Sequence, residues 1–403
     1  MDLTGLENVE FGSSIREKEF FLREKSVHLN NGSYGTVPRR VFDRRIKYCL
    51  ELESHPDNWF RNNLRKYWLE SKEAICKFVN VKDTDCLVFV PNATTGINSI
   101  LKSLSYENEI ILGTNETYQA VQNTIKFIGD TVPGAVAQFI DIQLPITSKQ
   151  QIVDLYEDFL QKNKNVKIAV IDAITSPSSI LLPIKEILDV CRKHGVLSLI
   201  DGAHAPGQIP LDLDELGADF FVGNLHKWLF APRGCAILYA AKEHIHRLHS
   251  LSTSWNLNKG FDLEFRDNGT RDHSPFTCAA SAVQFYQQIG GMSKISTYNR
   301  ELVREGREYL LKLWGAEKQA IPEDMESPFL LNIKLPPLKD YIVSDDSTMK
   351  LSLDILEKYD IMSIFISYQG NSYCRLSCQV YNTMDDYKKL GAAVKDMIKT
   401  QCS

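Results

Sequence analysis

From about residue 80 to residue 240 the chain repeats one pattern: a short unbroken apolar run, then a longer amphipathic stretch. The runs are "DCLVFV" (85–90), "EIILG" (109–113), "AVAQFID" (135–141), "VKIAVID" (166–172), "VLSLID" (196–201), "DFFVG" (219–223) and "GCAILYA" (234–240). Each has the length of a strand buried on both faces, and most are separated by helix-length segments. That alternation predicts an α/β fold with a mostly parallel seven-stranded sheet wrapped by helices. Ahead of it, "RRVFDRRIKYCLELES" (39–54) and "WFRNNLRKYWLESKEAICKFV" (59–79) read as helices broken at "HPDN" (55–58). Beyond about 270 two helical segments lead into short strands, "FLLNIKL", "IMSIFIS" and "SYCRLSC", and a last helix near 384–399. The expected division is an arm over 1–25, a large domain over 26–268 and a smaller α+β domain over 269–403. The stretch "KLPPLKDYIVSDDSTMK" (334–350) reads as a loop.

Composition narrows the function classes. Of 403 residues, 43% are hydrophobic and 24% charged, the balance of a globular domain. The net charge of −5 offers no basic field for nucleic acid. No apolar run reaches the roughly 18 residues of a membrane span, and the polar N-terminus lacks the apolar core of a signal peptide. Nine cysteines without zinc-like spacing suggest free thiols in a cytoplasmic setting. Cys374 and Cys378 fall on one face of a strand, where packing is the simpler role. His244, His246 and His249 in "HIHRLH" follow a strand as a charged helix would, so no metal site is expected.

In a parallel sheet ligands bind beyond the carboxyl ends of the strands, and that is where the chemistry-bearing residues stand. "NATTGIN" (92–98) follows the first run and opens a helix: its Thr94 and Thr95 suit a phosphate cradle, or simply a capped helix start. "LIDGAHAPG" (199–207) puts Asp201 and His204 after another run. "VGNLHKWLFAPRG" (222–234) puts Asn224, His226 and Lys227 after the next, a lysine in an apolar, aromatic setting where lysine is rare without a partner or a task. A lysine amine, a carboxylate and a hydroxyl-rich helix start suit one cofactor: pyridoxal 5′-phosphate has an aldehyde that condenses with lysine, a ring nitrogen that needs a carboxylate, and a phosphate.

These segments, with "VHLNNGSYGTVP" (27–38), "ETYQAVQNT" (116–124), "ITSPSSILLPIKEI" (174–187), "GTRD" (269–272) and "YCRLSCQVYNT" (373–383), resemble the class V aminotransferase group of fold-type I pyridoxal phosphate enzymes. They occur in the family's order over nearly the whole chain. The look is more that of isopenicillin N epimerase-like proteins and hercynylcysteine sulfoxide lyases than of cysteine desulfurases. The resemblance implies that Lys227 bonds the cofactor and moves the proton at Cα, that Asp201 holds the ring nitrogen and His204 the ring hydroxyl, and that Thr94, Thr95, Asn224 and His226 hold the phosphate. It sets Tyr118 over the ring face, where core packing is the competing role. It sets Thr270 at the phosphate of a second subunit, which makes a homodimer with shared sites. Arg375 becomes the clamp for an amino acid's carboxylate, with Arg233 a second anchor. The substrate side chain would be read by Asn31, Tyr34 and Trp59.

The segment "EKYDIMSIFISYQGNSY" (357–373) lacks the mobile nucleophilic cysteine of desulfurases, and Ala173 replaces the histidine of many epimerase-like relatives. The implied reaction is β-elimination by a C–S lyase on a cysteine-derived amino acid; epimerisation and transamination are the alternatives, and a non-catalytic binding protein fits poorly with an intact lysine and aspartate.

Overall fold

The computed structural model describes residues 4–338 and 341–399. Seven strands form the central sheet: β1 Leu87–Val90, β2 Glu109–Thr114, β3 Ala135–Ile140, β4 Val166–Asp172, β5 Leu197–Asp201, β6 Phe220–Asn224 and β7 Ala236–Ala240. Their spatial order is β1-β7-β6-β5-β4-β2-β3. Only β7 runs antiparallel to its neighbours. The unbroken apolar runs have a direct cause in the alternation of side chains along a strand. Val88, Val90, Val170, Leu199, Phe220 and Val222 face one layer of core, and Leu87, Phe89, Ile171, Ile200, Phe221 and Ile237 the other.

Helices cover both faces. Helix α1 is Arg39–Ser54, α2 Leu64–Phe78, α3 Ala93–Ser103, α4 Gln119–Thr131, α5 Lys149–Lys162 and α6 Ile184–His194. Helices α3 and α4 close one face with Ile97, Ile100, Val121 and Ile125. Helices α2, α5 and α6 close the other with Ile75, Ile152 and Ile187. The N-terminal segment packs onto this second layer through Leu6, Val9, Ile15 and Phe20.

Helix α7 (Ala279–Gln288) adds Phe285 and Tyr286 to the same core. The long helix α8 (Gly291–Trp314) then carries the chain to a separate core that includes Leu302, Val303 and Leu310. There β8 (Leu330–Lys334), β9 (Ile364–Tyr368) and β10 (Asn371–Ser377) form an antiparallel sheet in the order β9-β10-β8, with α9 (Asp345–Tyr359) and α10 (Met384–Lys399) against it. The second half of the expected loop is helical: Ser344 caps α9 by accepting from the Ser347 N–H, and Asp345 and Asp346 occupy its first turn, where acidic side chains favour the helix dipole. Positions 339 and 340 of that loop, and residues 1–3 of the expected arm, lie outside the described residues.

The sequence "HIHRLH" forms only a short 3₁₀ turn, Ile245–Arg247. His244 pairs with Asp219 at 2.8 Å and His249 with Glu264 at 3.0 Å, two separate contacts. No helix among the described residues is long and apolar enough to cross a membrane.

Candidate active site

The carboxyl ends of β5 and β6 meet at Lys227. The lysine lies in a one-turn helix, Leu225–Trp228, directly after β6. Its Nζ is 3.0 Å from Nε2 of His204, on the turn after β5. The other ring nitrogen of His204, Nδ1, accepts a hydrogen bond from the Trp228 indole at 3.3 Å. That bond leaves the proton of the neutral imidazole on Nε2. Nε2–H is then placed to donate to Lys227, a contact that the neutral form of the amine accepts. The electrostatics agree. Burial, then the Arg375 charge, lowers Lys227 from 10.5 to about 7. Burial, then Lys227 and Arg375, pushes His204 well below its ordinary value and keeps it neutral.

Asp201 is 4% exposed. Its Oδ1 accepts the Ala203 N–H at 2.9 Å. Burial raises its pKa, and the neighbouring Lys227 works in the opposite direction. Helix α3 starts nearby because Asn224, at the end of β6, accepts the Ala93 N–H at 2.9 Å. Asn92 caps the helix by accepting from the Thr95 N–H at 2.8 Å and the Thr95 hydroxyl at 3.0 Å. Thr94, Thr95 and Asn224 are thus brought to one helix start. His226 Nδ1 pairs with the Cys235 carbonyl at 2.8 Å, which leaves Nε2 free to face a ligand; burial lowers this histidine to about 4.

Arg375 arrives from the separate antiparallel sheet, on β10, and is 6% exposed. Its Nη2 donates to Asn30 Oδ1 and Ser33 Oγ, each at 3.0 Å, and Nη1 donates to Ser176 Oγ at 3.3 Å. Its Nε is buried without a partner. All three partners are neutral, and among the described residues no carboxylate forms an ion pair with it. Burial lowers Arg375 to about 10. A buried guanidinium held only by neutral acceptors is costly unless a carboxylate completes it.

The loop carrying Asn30 and Ser33 reaches this depth through Gly35. Gly35 has φ 65°, and a Cβ there would lie 1.7 Å from the His226 carbonyl oxygen. Asn31 ties the same loop down by donating to the Lys227 carbonyl at 2.8 Å. Arg233 is exposed and donates to the Gly35 carbonyl at 3.1 Å.

The remaining expected positions are placed as follows. Tyr118 precedes α4, is 45% exposed and stands within electrostatic reach of Arg375. Thr270 is exposed on a cavity of about 260 Å³ that Thr95, Ser99 and Asn268 also line. Tyr34 is 70% exposed beside Asn31. Trp59 is 2% exposed, with its ring against Tyr48 and Tyr67, so the structure does not bring it to the Lys227 cluster. Sequence reasoning missed Asn30, Ser33 and Ser176 around Arg375, Trp228 behind His204, and the carboxylate of Asp172. Asp172 had a visible signal: like Asp201, it ends an apolar run.

The residues fit pyridoxal phosphate on the chain's own terms: an uncharged buried amine, a buried carboxylate one strand away, a helix start with hydroxyls, and a guanidinium lacking its anion. One consequence concerns pH. Only the neutral amine can condense with an aldehyde, so uptake of pyridoxal phosphate by the free chain should accelerate about tenfold per pH unit below 7 and level off above it. Stopped-flow absorbance reads this directly. A plateau reached only above pH 10 would mean that Lys227 is an ordinary lysine.

Comparison with known proteins shows the family. The aminotransferase class-V family matches residues 28–390. An L-cysteine desulfhydrase of Arabidopsis thaliana is 29% identical over 96% of this chain and 91% of its own length. A hercynylcysteine sulfoxide lyase of Schizosaccharomyces pombe is 28% identical over 97% of this chain and 98% of its own. Among solved structures, a cystine C–S lyase in complex with its reaction product cysteine persulfide superposes with a TM-score of 0.78 at 18% identity, covering 93% of this chain and 98% of that one. The chain belongs to the class V aminotransferase family, and its cofactor is pyridoxal 5′-phosphate.

Proposed function

We propose that the protein is a β-eliminating C–S lyase acting on a cysteine-derived amino acid. The observation that carries this is the pairing of two groups in one buried site: the Arg375 guanidinium without a carboxylate, and the Lys227 amine, whose charged form burial disfavours. An α-amino acid brings the matching carboxylate, and its Cα–H is the proton that a neutral lysine takes.

Bound at this site, pyridoxal phosphate supplies an electron sink for the charge left at Cα. The chain's residues do the rest. Thr94, Thr95, Asn224 and His226 hold the phosphate, and Asp201 holds the ring nitrogen. Arg375 takes the substrate carboxylate in a two-pronged grip and sets the direction of the Cα–H bond. Lys227 accepts that proton, with His204 fixing the amine through Nε2. The Cβ–S bond then breaks with its electron pair leaving on sulfur, which gains a proton. The three-carbon fragment leaves as 2-aminoacrylate, which water converts to pyruvate and ammonium; no oxidant is consumed.

Names of relatives support the cysteine-derived substrate: two act as lyases or desulfhydrases on such compounds. Persulfide relay through Cys374 is disfavoured by where that thiol sits. Cys374, beside Arg375, is fully buried on β10, and burial pushes its thiol up to about 12. Thiolate, not thiol, is the nucleophile. The same reading makes the enzyme a homodimer, with Thr270 reaching the partner's phosphate across the cavity beside Thr95.

The test is a panel of L-cysteine, L-cystine and S-alkylcysteine sulfoxides, assayed for pyruvate, ammonia and the sulfur fragment. Equal amounts of the three from at least one member are expected. Cysteine consumed with alanine as the carbon product, and sulfur left on the protein, would contradict it.

A further inference from the structure

Asp172 and Asp201 end neighbouring parallel strands and are direct register partners. Side chains alternate along a strand, so both carboxylates leave the sheet on the face of Val170 and Leu199. Both are buried, at 3% and 4% exposure. The canonical-looking partner of a cofactor ring nitrogen is thus one of a pair, and its neighbour has had no role so far. Asp172 stands beside the Thr117 hydroxyl and the Tyr118 N–H, in the turn joining β2 to α4. Its Oδ2 is buried with no partner. The charged groups facing it are Asp201 and Glu116, both acidic, whereas the amine of Lys227 interacts with Asp201.

We propose that Asp172 is a positioning residue kept as a neutral carboxylic acid: it pins the Thr117–Tyr118 turn at the cofactor site and leaves the pair's single negative charge on Asp201. The inference rests on the cofactor reading above and deepens it. Two adjacent carboxylates in a dry site do not both ionise; one keeps its proton. Asp172 is the one that keeps it. The charged groups that act on it most strongly are acidic, and a protonated acid can still accept hydrogen bonds from the turn. Burial, reinforced by Asp201, raises Asp172 well above the carboxylate range, in line with this assignment. Asp201 is then free to carry charge where a protonated ring nitrogen needs it.

Asp172→Asn mimics the neutral acid and Asp172→Ala removes the pin. In the free chain, hydrogen exchange at the Tyr118 amide should rise about tenfold or more in Asp172→Ala and change less than about twofold in Asp172→Asn. In the loaded enzyme, the dissociation constant for pyridoxal phosphate should rise about tenfold in the alanine variant only. The pH midpoint of the bound cofactor's absorbance should stay within about 0.3 unit in Asp172→Asn, because no charge has been removed. A midpoint moved by about a unit or more would show that Asp172 is ionised and overturn the proposal. So would an asparagine variant that behaves like alanine, or an alanine variant whose Tyr118 amide exchanges at the parent rate. A parent chain that takes up no pyridoxal phosphate would instead defeat the cofactor reading, while the amide-exchange arm still decides whether Asp172 pins the turn.

Discussion

Lys227→Ala is expected to abolish turnover, by about 10⁴-fold or more, while leaving the chain folded. The size follows from two losses at one atom. On the proposed reading the amine is both the covalent anchor for the cofactor's aldehyde and the acceptor of the Cα proton, and positioned proton transfer alone is worth about 10²–10⁴-fold. Folding should not suffer, because Lys227 Nζ makes one hydrogen bond, to His204, and its burial disfavours the charged state. The sign with pH follows from its depressed value. Between about 7 and 10.5 the unfolded chain holds a proton on this lysine that the folded chain does not, so Lys227 adds a rise of stability with pH across that window. The alanine variant should lose that part of the slope. Urea unfolding of the cofactor-free chain at several pH values checks it, and borohydride reduction should fix the cofactor's mass to the Lys227 peptide in the parent alone. Residual turnover within tenfold of the parent would remove Lys227 from the chemistry.

The second large effect is at Arg375. Arg375→Ala should lower kcat/KM for every amino-acid substrate by about 10²–10³-fold, the cost of losing a desolvated charge pair. Stability should hold or improve, since the guanidinium is buried with neutral partners and one orphaned nitrogen. Arg375→Lys should recover only part of the activity, because an ammonium lacks the fork that grips both carboxylate oxygens. Steady-state kinetics on the matching amine, which lacks the carboxylate, supplies the control: parent and Arg375→Ala should then differ little. If the alanine variant discriminates against the amine as strongly as the parent does, the carboxylate is held elsewhere.

Much of this was readable in the amino-acid sequence because buried parallel strands write themselves plainly. Seven apolar runs became seven strands, and Asp201, Asn224 and Lys227 lie at or just past the ends of two of them. What was harder to read lies in long-range contact. The shell of Arg375 is assembled from Asn30, Ser33 and Ser176, residues from two other parts of the chain whose small polar side chains look like ordinary turn formers until β10 is laid against them. Trp228 stood in the sequence only as part of an aromatic setting, and its indole donates to Nδ1 of His204. Trp59 gave the opposite error: an aromatic near the expected pocket in sequence lies inside the core in space. Capping at Ser344, a local signal, turned part of an expected loop into helix α9.

The central claim is that the proton Lys227 takes from Cα is followed by loss of sulfur from Cβ. The direct test is NMR of the reaction in deuterated water with the substrate from the panel that turns over fastest. Pyruvate bearing deuterium at its methyl carbon, formed in step with ammonium and with no inverted amino acid, is the predicted result. An amino acid deuterated at Cα and inverted there, its carbon–sulfur bond intact and no pyruvate formed, would contradict it.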